Sequence, residues 1–82
     1  MASARVKIPL GLSGLLRDDF IKVIEQSNLG LENTKIATMY LIDGIPQMDI
    51  AVEIGYDRST ITKRLRKIVT RAEVTAHRMF PQ

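Results

Sequence analysis

Residues 47–66 read QMDIAVEIGYDRSTITKRLR, and this stretch decides how the chain is expected to fold. Ile50, Ala51 and Ile54 recur at i, i+1 and i+4, the spacing of a short helix with one buried stripe. Ala51 is small enough to let a second helix approach closely. Gly55 follows where the chain must turn sharply, and a positive φ is expected there. Tyr56 is placed to pack back under that turn. Asp57 then suits an N-cap, its carboxylate accepting from the amide of Ser59 or Thr60.

Beyond the turn, Ile61, Leu65, Ile68 and Ala72 fall at i, i+4, i+7 and i+11, the seam of a helix against a core. The opposite side carries Ser59, Lys63, Arg66 and Thr70, flanked by Thr60, Thr62 and Lys67. Short hydroxyls suit base edges, and long cationic side chains suit both bases and phosphates. Ser59, Thr60, Thr62, Lys63 and Arg66 are therefore expected to face bases. Arg58, Arg64, Lys67 and Arg71 are expected to meet phosphates. An apolar seam with such a face opposite it fits insertion into the major groove of double-stranded DNA, as a helix-turn-helix does.

Working outward, four helices are expected. Residues 1–12 form a flexible N-terminal arm with Arg5 and Lys7, and a single helical DNA-binding domain spans 13–82. Ser13 caps a first helix running to about Ser27, with Leu16, Phe20, Val23 and Ile24 facing the core. Asn28 to Gly30 ends it. A second helix runs from Glu32 or Asn33 to Ile42 and buries Ile36, Met39 and Tyr40. The third spans about Gln47 to Ile54. The fourth starts at Arg58 and reaches Arg78, since no breaker intervenes before Pro81. The expected fold is thus all-α, a four-helix (tetrahelical) helix-turn-helix domain with the motif at 47–66.

Leu31 to Ile68 resembles the DNA-binding domain of bacterial sigma factors that reads the upstream promoter element, and is similar to LuxR-type regulators. The matching text is Lys35-Ile-Ala-Thr-Met-Tyr40-Leu-Ile-Asp-Gly44, then Ile50-Ala51, Ile54-Gly55, and Arg58-Ser-Thr-Ile61 with Leu65. In those families an apolar helix ends in an acidic-Gly turn ahead of the motif, as Asp43-Gly44 does here. Pro46 departs from the pattern, standing where the families usually place a Ser or Thr cap, so proline's fixed φ must organise the helix start. No segment resembles the other sigma-factor regions. The resemblance implies a bacterial or phage regulator that binds DNA, without sigma activity.

Composition sets the limits. The chain has 82 residues, 45% of them apolar, and no cysteine, so no disulfide framework, thiolate metal site or cysteine nucleophile is available. No membrane-spanning run is visible, because the Ile8–Leu16 stretch is short and interrupted by Pro9, Gly11 and Gly14. A cytoplasmic location is the expectation. Charge is uneven: residues 1–50 carry five Lys/Arg and six Asp/Glu, whereas 51–82 carry seven and three. From Arg58 to Arg71 there are six basic residues and no acidic one. Such a stripe is the electrostatic footprint of nucleic-acid binding, set against the plainer reading of a solvated helix face.

No enzyme, cofactor or metal site is expected. His77 is the sole histidine, and Asp18-Asp19 suits a helix first turn. Ser59 and Thr60 have no adjacent base that would make either a nucleophile. Val69, Ala72, Ala76 and Met79 extend beyond the groove-reading segment, and either build a homodimer interface or cover the first helix in a monomer. A second expectation is a protein-interaction module docking on RNA polymerase or a sigma factor, with an apolar patch around Leu12, Leu15 and Leu16. A third is a DNA-bending accessory of recombination or packaging.

Overall fold

A computed structural model describes residues 6–81, and among these the regular structure is all helical, with no strand. The elements are α1 (Leu10–Ser13), α2 (Arg17–Gln26), α3 (Leu31–Ala37) continued by a π turn (Thr38–Ile42), α4 (Gln47–Ile54) and α5 (Arg58–Met79). They surround one apolar core that includes Leu12, Val23, Ile36, Ile50, Ile61, Leu65 and Ile68.

Among the described residues five helices stand where four were expected. Ser13 closes a short α1 instead of capping a long first helix, and its hydroxyl reaches back to Leu10 O at 3.4 Å. The chain bends at Gly14 and Leu15, and α2 then starts from an extended Leu16 without a side-chain cap. Asp18 and Asp19 occupy its first turn, where carboxylates favour the exposed amides and the positive helix end. The bend changes which leucines are inside. Leu12 is fully buried and Leu15 half-buried, whereas Leu16, expected to face the core, is 74% exposed, so Leu12 drops out of the expected Leu12–Leu15–Leu16 patch.

The expected arm is also corrected over its described part. Val6 is buried, Leu12 lies in the core, and α1 packs on α5. Tyr40 Oη donates to Val6 O at 3.1 Å, which holds this lead-in segment against the π turn. Arg5 lies outside the described residues, and Lys7 is exposed.

Asn28 (φ 58°) and Gly30 (φ 87°) reverse the chain between α2 and α3. The helix expected from Glu32 or Asn33 to Ile42 begins at Leu31, and its last turn widens. Asp43 N–H bonds Thr38 O at 3.0 Å, the five-residue spacing of π geometry. Ile36, Ala37 and Leu41 are buried here, while Met39 and Tyr40 pack half-buried against the core.

Helix α5 is the spine. Its 22 residues amount to roughly 33 Å of helix, comparable with the molecule's longest dimension of 36 Å. Ile61, Leu65, Ile68 and Ala72 form the expected seam, joined by Thr62, Val69, Thr75 and Ala76. Val69, Ala72 and Ala76 thus serve this chain's own core, with Met79 half-buried beside them. Helices α1 and α2 both pack on α5.

Candidate functional site

The joint between α4 and α5 begins with proline. Pro46 sets an extended lead (φ −62°, ψ 151°) into α4 and leaves that helix without a side-chain cap. At the far end Gly55 adopts φ 94°, so its amide and that of Tyr56 both return to Ala51 O, at 2.9 and 3.0 Å. A side chain at this position would be strained in the left-handed region, although the space around it is open. Ile50 and Ala51 are buried, and α4 packs on α5 directly after the turn.

Asp57 caps α5 as expected: its Oδ1 accepts from Thr60 N at 3.0 Å. The Thr60 hydroxyl and amide, and to a lesser degree the Ser59 hydroxyl, hold the Asp57 carboxyl below its ordinary pKa. Ser59 and Thr60 place their hydroxyls in the first turn of α5, beside the cap. Their oxygens remain available to accept a hydrogen bond.

Of the five residues expected to face bases, Ser59, Lys63 and Arg66 are exposed and Thr60 is partly so. Thr62 is not on that surface. It is buried, and its hydroxyl hydrogen-bonds with the Gln47 side chain and lies 3.0 Å from Arg58 O. The reason is the crossing of α4, which covers the flank of α5 next to Ile61. Gln47 occupies the position one turn before Ile50 and Ala51, so the apolar stripe of α4 ends in a polar side chain. A buried amide needs a partner, and Thr62 supplies one.

Arg64 is the second correction. In place of a phosphate-facing position, it is half-buried against α3, with Nη1 2.5 Å from Glu32 Oε1 and 3.2 Å from Asn33 Oδ1. Its guanidinium carbon lies 4.8 Å from the centre of the Tyr56 ring, and Tyr56 Oη donates to Glu32 Oε1 at 3.0 Å. Tyr56, expected to pack under the turn, stays 38% exposed and joins this cluster instead. Glu32 is the residue that reading the chain missed, because its partner lies 32 positions away.

Arg58, Lys67 and Arg71 are exposed as residues, although Arg71 Nε donates to Ser27 O at 3.0 Å. Among the described residues ion pairs join Arg17 to Asp43 and Arg64 to Glu32 only. Lys63, Arg66 and Lys67 consequently present unneutralised charge along one side of α5, at the i, i+3 and i+4 spacing that puts them on one face. Thr70 continues that face one turn on, with its hydroxyl donating to Arg66 O at 3.0 Å. The arrangement can hold a polyanion. Among the described residues no cluster of His, Asp or Glu suited to a metal ion is formed, and no helix is long and apolar enough to cross a membrane.

Comparison of the chain with protein-family models, curated proteins and solved structures finds no match.

Proposed function

We propose that the chain binds double-stranded DNA and regulates transcription, with α4 and α5 acting as a helix-turn-helix. The observation that carries this reading is the row of exposed cations on α5, Lys63, Arg66 and Lys67, which have no ion-pair partner among the described residues and begin one turn after a capped helix start. A helix reads a major groove with the residues near its N-terminus, while its partner helix steadies it from behind. Here α4 packs on α5 through Ile50 and Ala51, and the Thr62–Gln47 hydrogen bond ties the two at the same level.

In this reading Lys63 and Arg66 are the donors for base edges, with Ser59 and Thr60 as acceptors at the rim. Arg58 and Lys67 take phosphates on either side. Thr62 and Arg64 drop out of the contact set and position the helix. Selecting bound sites from a pool of random duplexes tests the proposal: an enriched consensus a few base pairs long supports it. A pool that remains random after several rounds removes sequence reading.

A second reading rests on Met48 and Val52, which stand 60% and 80% exposed at i and i+4 on α4. An apolar pair on the outer side of that helix fits docking on RNA polymerase or a sigma factor. Retention of purified polymerase by the protein, abolished by Val52→Glu with duplex binding intact, favours this second role.

A further inference from the structure

The second half of α5 and the end of α2 enclose an open groove of about 840 Å³. Arg66, Lys67, Arg71 and Arg78 line it, and among the described residues no carboxylate does. Its floor is fixed by a buried polar contact. Ser27 and Thr75 are 2% and 3% exposed, and their hydroxyls lie 3.0 Å apart, with Val23 O and Arg71 O as flanking acceptors. One proton bridges the two hydroxyls and the other goes to a helix carbonyl. The Arg71 Nε–Ser27 O bond then orients the guanidinium, whose terminal nitrogens have no partner among the described residues. A fork held by its own Nε is already organised to receive an anionic oxygen.

We infer that this groove seats the phosphodiester backbone of duplex DNA beside the major groove entered by the start of α5, with Arg78 as an additional phosphate ligand. The inference rests on the DNA-binding reading above. From Lys63 to Arg78 is roughly 22 Å along the helix axis, whereas the major groove is only about 12 Å wide. Arg78 therefore lies past the groove wall, where backbone and not base edges is within reach. The lining residues include no aromatic ring, so the groove lacks the stacking platform that single strands use. Duplex backbone is the polyanion that fits.

The test measures binding of the full chain to a random-sequence duplex across about 50–200 mM salt. Arg78→Gln and the double variant Lys67→Gln/Arg78→Gln are compared with Lys22→Gln, a cation on α2 outside the groove. Each lost phosphate contact removes about 0.9 from the slope of log affinity against log salt. The slope is expected to flatten by roughly one contact in the single variant and two in the double, and to stay unchanged in Lys22→Gln. A wild-type slope in Arg78→Gln, with salt-dependent binding retained, overturns the groove assignment whatever the double variant shows, and leaves the DNA reading standing. Failure of the wild type to bind duplex overturns both. Tighter binding to a single-stranded RNA of equal length overturns the duplex assignment.

Discussion

Arg64 Nη1 lies 2.5 Å from Glu32 Oε1, a contact that fastens the second turn of α5 to the first turn of α3. Tyr56, from the turn that precedes α5, joins both partners. A charge in the middle of the basic stripe is thereby spent on holding the helix in place.

Removing that acid separates its two effects. Glu32→Gln is expected to cost under about 1 kcal/mol of stability, because the pair is partly exposed and screened. The same change frees the Arg64 charge, so affinity for duplex should rise and the salt slope steepen. Fluorescence anisotropy with a labelled duplex reads both, and weaker binding by Glu32→Gln would show that the clamp matters more than the released cation.

Thr62 tests the joint between α4 and α5. Thr62→Val keeps the shape and deletes the hydroxyl, leaving the buried Gln47 side chain short of a hydrogen bond. The expected loss is about 0.5–1.5 kcal/mol in urea unfolding, the usual net contribution of one hydrogen bond. Sequence preference on DNA should be retained by the folded protein. A variant of wild-type stability that has changed its preferred site would return Thr62 to the reading surface.

Leu12 distinguishes a packed N-terminal segment from an arm. As a fully buried side chain it should cost about 2–5 kcal/mol when replaced by Ala. An arm residue would cost almost nothing, so the denaturation midpoint of Leu12→Ala decides between them.

These variants also mark what the sequence could and could not disclose. Helix α4, the positive φ at Gly55, the Asp57 cap and the length of α5 were all legible, because each depends on neighbours within a turn or two. The break at Gly14–Leu16 was not. Ser13 looks like a cap whether it begins a helix or ends one, and only the burial of Leu12 resolves the ambiguity. The π turn carries no local composition signal. Thr62 was misplaced because a seam drawn through Ile61, Leu65 and Ile68 is narrower than the face that α1, α2 and α4 together cover. Gln47 at the end of the α4 stripe was the available hint. Arg64 was misplaced for a different reason: charge periodicity counts cations but does not reveal an acid brought in from another helix.

The Asp57 cap makes stability depend on acid. The folded-state pKa is lowered by the Thr60 hydroxyl and amide, so the contribution is present above the unfolded aspartate value of about 3.9. It is lost as pH falls through the lowered folded value. Asp57→Ala should lower the melting temperature at neutral pH, Asp57→Asn should lower it less, and the gap between wild type and Ala should shrink at the acid end. A gap independent of pH would mean that the carboxylate charge contributes nothing to the cap.

The most direct measurement is anisotropy of wild type, Lys63→Ala and Arg66→Ala on a selected duplex and on a scrambled one, each across a range of ionic strength. Tight, salt-sensitive binding by the wild type is predicted, with either substitution weakening the selected duplex by about 1–3 kcal/mol and the scrambled duplex by less. Wild-type protein that is folded yet leaves both duplexes unbound at low ionic strength would contradict the account.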